Sequence, residues 1–405
     1  MIDFEKALEI VLGSAAPLPV EEAAADQALG RALAEAVDSP CDVPPAANSA
    51  MDGICVRAAD VANARGDAPC ALRVQGTIAA GDPADEALRE GWTFKIMTGA
   101  PIPPGADAVI PVEVLRFEGD QVFVSSPVKS GAEIRPAGAD VRAGQRVFDA
   151  GTSITSAHIG VFASIGRTTV PVRRRARVAV MATGSELVNA DEEAPAGKIR
   201  NSNGPALCAA IRKAGADAID FGIIRDDRAS IESALAAAMK RADAIVSSGG
   251  VSVGEFDFVK EALAKSGVDI LFEKVAQKPG KPMAFGRRGP IAFFGLPGNP
   301  AASLVCFEIY VRAYLRTIMG HAAAHRPHAY GRFAETVRKK PGRAHFVRVL
   351  VEPSPEGYTL RPAGDQGSGL LRPMALGRHL ALLPKDADSV GPETPVKFFF
   401  LDAEA

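Results

Sequence analysis

The chain has 405 residues, too many for one compact core, and at roughly 100–200 residues per domain it should fold as two to four. With 47% hydrophobic and 23% charged residues it has the composition of an ordinary globular protein. A net charge of -2 removes any argument for wholesale attraction to nucleic acid or an acidic membrane, so an anionic ligand must be bound locally.

The opening stretch MIDFEKALEIVLGSA carries acids early and spaces Phe4, Ala7, Leu8 and Val11 along one face. That is a helix rather than a signal peptide. No apolar run in the chain approaches the ~18 residues of a membrane span, so the cytoplasm is the expected location. The helical, alanine-rich pattern runs from residue 3 to about 38 and is broken by SPCDVPPAANSAMDG, with its three prolines. Residues 54–130 read as short strands separated by turns, with prolines confined to the connections. SAHIGVFASIG (156–166) is again helical and is expected to pack back on the N-terminal helix, making one element from two chain passes. RRRAR (173–177) reads as a solvated linker sooner than as a basic patch.

From residue 177 to about 320 strands and helices alternate: RVAVMAT, NGPALCAAIRKAG, DAIDFGII, RASIESALAAAMKRA, DAIVSS, FDFVKEALAKSG, IAFFG and PAASLVCFEIYVRAYLRTIM. Such alternation implies parallel βαβ units with ligands at the carboxyl ends of the strands. The remaining 85 or so residues return to β character and should form a separate small β domain. The five cysteines (Cys41, Cys55, Cys70, Cys208, Cys306) are scattered without a CxxC or Cys/His pattern, and read as buried small residues in a reducing compartment.

Chemistry should therefore gather just after the strands. The first is followed by TGSEL with Glu186, the second by RDD with Asp226 and Asp227, and the third by SSGGVSVGEFDF with Glu255 and Asp257. FEKVAQKPGKPMAFG brings Lys274, Lys278 and Lys281, and the last strand ends in GLPGNP. Singly these are weak signals, since an Asp after a strand is commonly a helix cap and loop lysines are commonly solvated. Together they have a logic: carboxylates and substrate phosphate share Mg²⁺, lysines neutralise the remaining anion, and glycine turns bring backbone N–H groups to phosphate.

Nine motifs occur in one order: SAMDG (49–53), MTGAPIPPGADAVIPVE (97–113), IRPAGAD (134–140), TGSEL (183–187), IRDD (224–227), SSGGVSVGEFDF (247–258), KPGKPMAFG (278–286), GLPGNP (295–300) and GDQGS (364–368). Together they resemble the molybdopterin molybdenumtransferases, the MoeA family that includes the gephyrin E domain. The resemblance implies a multidomain α/β plus β chain. Its helical linker would comprise 1–40 and 131–172, its inserted β-rich domain 41–130, its central, mainly parallel βαβ molybdopterin-binding domain 173–321, and its small C-terminal β domain 322–405. It further implies insertion of molybdenum from molybdate into adenylylated molybdopterin with release of AMP, with Mg²⁺ or another divalent ion as cofactor. The soft sulfur ligands belong to the substrate, so no protein cysteine is needed. A homodimer with a cleft shared between subunits is implied, with transient contacts to a molybdopterin adenylyltransferase and to acceptor molybdoenzymes, and no nucleic acid or membrane.

Carried over by motif, Asp52, Asp140, Glu186, Asp226, Asp257, Lys274 and Lys278 match catalytic positions, with Glu186, Asp226 and Asp257 toward the metal. Thr98, Arg135, Ser248, Gly249, Gly250, Ser252, Gly254, Pro297, Gly298 and Asn299 match the substrate cleft. A tetrahedral dianion needs fixed positive charge and donors, for which Lys278, Lys281, Pro282, Arg348 and Ser368 are the candidates. The chain departs from the family pattern at Ser185, where TGDEL is common, at Asn201, where an acid precedes SN, and at Ala302, where serine is frequent. Rival readings are a molybdopterin adenylyltransferase-like enzyme, a competence-damage-type nucleotide hydrolase, and a non-catalytic gephyrin-like scaffold. The first two lack a counterpart for the flanking β domains, and a scaffold would have no use for the acidic set.

Overall fold

The computed structural model describes residues 1–250 and 258–402 and divides them into two compact units. One comprises residues 1–35, 150–156 and the chain from 169 onward; the other comprises 36–149 and 157–168.

The first unit is organised by a six-stranded sheet in the order Asp217–Ile224, Arg177–Thr183, Ala244–Ser248, Ile291–Leu296, Ala284–Arg288, Asp269–Phe272. The first four strands are parallel, Ala284–Arg288 runs antiparallel to them, and Asp269–Phe272 pairs antiparallel with it. Six of the seven residues of Arg177–Thr183 are buried, as expected where helices cover both faces. Its side chains alternate: Val178 and Val180 join a core with Leu207, Ile211, Phe294 and Tyr314, while Ala179 and Met181 join another with Ile231, Leu235, Leu263 and Phe293. Helix Arg228–Met239 turns Ile231, Leu235 and Ala238 inward at a helical repeat, and Asn203–Lys213 does the same with Gly204, Leu207, Cys208 and Ile211. The last helical run starts at Pro300, where a missing N–H costs nothing, and passes through a loosely wound π turn, Phe307–Val311, into Arg312–Ile318.

The N-terminal helix spans only Phe4–Gly13, and the rest of the stretch read as helical is mostly strand and turn. Ala7 and Val11 are fully buried in the α/β core. The two chain passes meet through strands: Val20–Ala24 pairs antiparallel with Thr169–Arg173. Helix Ser156–Ser164 instead buries Phe162 against Phe148, at 5.5 Å between ring centroids. The basic run is structural, not solvated. Arg174 grips Asp243 with two hydrogen bonds of 2.9 and 2.8 Å, Arg173 donates to the Leu18 carbonyl, and Arg175 to that of Gly215.

The second unit holds a mixed six-stranded sheet ordered Ala108–Pro111, Gly53–Val56, Trp92–Ile96, Cys70–Ile78, Gln121–Val124, Leu115–Glu118. Gly53 must be glycine, because a Cβ there would stand 1.9 Å from the Ile110 carbonyl oxygen.

In the C-terminal part, Ala344–Ser354, Gly357–Pro362, His328–Phe333, Val396–Phe400 and His379–Leu383 pair in succession, and the last returns to pair with the first. The result is a small closed barrel around Phe333, Val347, Leu360 and Phe398. The two-residue strand Gln277–Lys278, contributed by the α/β region, adds onto Ala344–Ser354. All five cysteines are free thiols, and no helix among the described residues is long and apolar enough to cross a membrane.

Candidate active site

The parallel strands end at a cavity of about 470 Å³, lined by the segments that follow them: Thr183–Glu186, Asp226, Ser248–Gly250 and Pro297–Pro300, with Asn201–Asn203 as a further wall. Each segment has a local reason for its shape. Gly249 and Gly250 take φ of +92° and +67°, where side chains are strained. Their Cβ atoms would also meet the Thr183 carbonyl oxygen at 2.3 Å and Val259 Cγ2 at 2.5 Å. The Gly249 N–H is spent on the Leu296 carbonyl at 3.1 Å, so it is the Gly250 amide that this turn offers to an anion.

Asn203 ties the walls together, its Nδ2 donating to Ser248 Oγ at 2.6 Å and to the Gly298 carbonyl at 2.7 Å. Asn201, buried at the start of the same helix, accepts from Gly204 N at 3.0 Å. The residue that departs from the acidic pattern thus serves here as a neutral cap.

Of the two adjacent acids after the second strand, Asp227 is the helix cap, accepting from the Ser230 amide at 2.9 Å and its hydroxyl at 2.8 Å. Those bonds, the amide's first, hold its carboxyl below the usual carboxylate range. Asp226, which has no such duty, lines the cavity together with Glu186. The Thr183 hydroxyl, at the base of the glycine turn, is buried without a partner among the described residues. An unmade buried hydrogen bond costs on the order of 1–3 kcal/mol, so it marks a place prepared for a ligand atom.

The lysines separate from this cavity. Lys274 is exposed beyond Asp269–Phe272 and does not line it; Lys281 is exposed and gives its carbonyl to Val275 N, while its neighbour Pro282 does line it. Lys278 faces a second, basic cavity. Ser368 comes to the rim, accepting from Asn299 Nδ2 at 2.9 Å and offering its carbonyl to the Ala301 and Ala302 amides. At Ala302 a buried methyl group stands at that helix start.

Arg348, expected as an anion contact, keeps Nε and Nη1 without a partner among the described residues. It is 1% exposed, lines neither cavity, and donates to the carbonyls of Asp365 and Gly367 at 3.0 and 3.1 Å. Burial lowers its pKa, and its bonds to the Asp365 and Gly367 carbonyls brace the loop that presents Ser368.

The remaining candidates lie in the second unit, all exposed. Asp52 accepts from the Thr98 amide at 2.6 Å and hydroxyl at 2.7 Å, and these bonds hold its carboxyl below the ordinary range. Ile134–Arg135 pairs with Asn48–Ser49, and the Arg135 guanidinium donates to the Ala50 carbonyl at 3.4 Å, so SAMDG, MTGA and IRPAGAD converge on one loop. Asp140 is exposed, with its amide bonded to the Val43 carbonyl. Ser252, Gly254, Glu255 and Asp257 lie outside the described residues. Sequence reading passed over Asn203 and Thr183; the only signal for the former was its place in NSN, after a strand and opening a helix.

Three family models match in succession: the MoeA N-terminal region (domain I and II) over residues 2–166, the probable molybdopterin binding domain over 179–317, and the MoeA C-terminal region (domain IV) over 330–401. A molybdopterin molybdenumtransferase 2 from Mycobacterium tuberculosis is 36% identical over 380 residues, covering 93% of each chain. A molybdopterin molybdenumtransferase from Nostoc sp. is 37% identical over 370 residues, covering 88% of this chain and 83% of that one. A crystal structure of a molybdopterin biosynthesis MoeA protein from Pyrococcus horikoshii OT3 superposes with a TM-score of 0.86 at 27% identity, covering 99% of this chain and 100% of that one.

Proposed function

The chain belongs to the MoeA family of molybdopterin molybdenumtransferases, and from that premise we propose that its reaction in molybdenum cofactor biosynthesis is carried out in the cavity at the strand ends. The substrates are molybdopterin and molybdate. The observation that carries the placement is the meeting of two carboxylates, a glycine turn and an unpaired hydroxyl in one cavity. In the proposed reaction the pterin arrives adenylylated, its two thiols displace one molybdate oxygen, which leaves with their protons as water, and a water molecule cleaves the phosphoanhydride to molybdopterin and AMP.

The chain's own groups divide this work. The Gly250 amide faces phosphate oxygens, the Gly249 N–H being spent on the Leu296 carbonyl at 3.1 Å, and Asn203 keeps that turn in register with Gly298. Ser368, steadied by Asn299, offers a hydroxyl at the rim. The donor set fits a divalent cation: the described residues contain no cluster of three metal-binding side chains, but Mg²⁺ is commonly held by one or two carboxylates plus substrate phosphate. Glu186 and Asp226 would hold it, with Asp257 as the third acid named from sequence. Bound there, Mg²⁺ would neutralise charge on the phosphoanhydride. Chelator-treated protein is expected to release AMP at least about a hundredfold more slowly and to recover on adding Mg²⁺. A rate that chelation leaves unchanged would contradict the divalent ion.

The placement of Asp52, Thr98, Arg135 and Asp140 in the other unit supports a homodimer in which these residues of one protomer complete the cavity of its partner. Cytoplasmic location and transient contact with the adenylyltransferase and acceptor enzymes complete the proposal. An Asp52→Ala variant mixed with Glu186→Gln should form hybrid dimers, half of the population with one intact site each, and recover about a quarter of wild-type activity. No recovery after demonstrated subunit exchange would sink the shared site.

A further inference from the structure

The second cavity, of about 400 Å³, is lined by Lys278, Arg338, Lys339, Lys340, Arg343 and His345, with no carboxylate among them. Two local structures build it. Strand Gln277–Lys278 lies beside Ala344–Ser354 in parallel register, with Lys278 opposite His345. The basic loop after strand Val337–Arg338 carries the remaining cations.

Lys339 is already committed, donating to the carbonyls of Lys385 and Ala387 at 3.0 and 2.7 Å, and the nearby acids Asp386 and Asp388 act on it. Lys278, Arg338, Lys340 and Arg343 have no side-chain partner among the described residues. Like charges gathered without counter-charge repel one another unless an anion joins them.

His345 is a second, independent pointer. It is 6% exposed, it lines the cavity, and neither ring nitrogen has a hydrogen-bond partner among the described residues. Burial first, and then the charges of Lys278 and Lys339, push its pKa down to about 4, so the ring is neutral at pH 7 and one nitrogen carries a proton to donate. A buried donor left unmade in a basic cavity needs an acceptor, and an oxyanion supplies one.

We propose that this cavity is a binding site for a di- or polyphosphate group, distinct from the cavity at the strand ends. Four uncommitted cations exceed what one tetrahedral dianion neutralises, and the volume exceeds what it fills. The lining has no Phe, Tyr or Trp ring on which a base could stack, and its cations direct recognition to the phosphates.

The test is calorimetric titration of the full-length protein with pyrophosphate, inorganic phosphate, molybdate and ADP. Pyrophosphate is expected to bind at least about tenfold more tightly than phosphate or molybdate, because it engages more cations at once. Combined Arg338→Ala, Lys340→Ala and Arg343→Ala should weaken it by about a hundredfold, and Lys340→Ala alone by about fivefold, with AMP release kept within about twofold of wild type. ADP binding as tightly as pyrophosphate would assign the group to a nucleotide; ADP binding more weakly would assign it to a free inorganic ion. Pyrophosphate binding no tighter than phosphate, or equal binding by wild type and the triple variant, overturns the proposal.

Discussion

Asp226→Asn is expected to slow AMP release by about 10²–10³-fold while leaving molybdopterin affinity within about threefold. The substitution keeps the shape of the side chain and removes its charge, which matters only where charge develops or a cation is held. Asp226 lines the cavity, and no hydrogen bond to its carboxylate from the described residues gives it a structural duty. Its neighbour supplies the control. Asp227 spends its carboxylate on the Ser230 amide and hydroxyl, and asparagine caps a helix about as well as aspartate. Asp227→Asn should therefore turn over within about twofold of wild type. Single-turnover kinetics on the two variants separates the roles; equal rates would remove Asp226 from the chemistry.

Gly249→Ala should have the next largest effect, on both stability and rate. The backbone there sits at φ +92°, and the added methyl would stand 2.3 Å from the Thr183 carbonyl oxygen, a backbone atom that cannot swing aside. Strain of this kind costs on the order of 1–3 kcal/mol, and overlap with backbone adds to it. Relieving it must shift the turn, and a displacement of about 1 Å at a binding turn can cost about a hundredfold in rate. Gly298→Ala is the comparison, because its Cβ would meet only Gly249 Cα at 3.8 Å, an ordinary contact. Melting temperature should fall by several degrees for Gly249→Ala and hardly at all for Gly298→Ala. Equal melting temperatures would show that the turn is not built as described.

The parts of the fold legible from sequence are those with strong local periodicity. Strand Arg177–Thr183 and helix Arg228–Met239 carry their burial in their own spacing, and the parallel arrangement follows from alternation. Strand Asp269–Phe272, at the sheet edge, and Ala284–Arg288, just inside it, were not legible, since they are short, lack clean alternation and exist through pairing with a neighbour. For the same reason the link between the two chain passes reads as helix from alanine content but forms as strand through the Val20–Ala24 pairing with Thr169–Arg173.

Site residues divide similarly. Glu186, Asp226 and the glycine turn were found because position after a strand places them. Lys278 was not separable from Lys281, because its destination depends on a two-residue strand joining a barrel formed much later in the chain. Nor does sequence distinguish a guanidinium that faces a ligand from one that, like Arg348, braces loop carbonyls from within the core.

The central claim is that molybdenum insertion and AMP release occur together in the cavity bounded by Glu186, Asp226 and the Ser248–Gly250 turn. The direct measurement is a single-turnover reaction of adenylylated molybdopterin and molybdate with Mg²⁺, following AMP and pterin-bound molybdenum in the same samples. Wild-type protein should yield the two products in step, and the Glu186→Gln, Asp226→Asn double variant should yield neither above the rate without protein. Molybdenum insertion by the double variant at the wild-type rate would place the reaction elsewhere on the molecule.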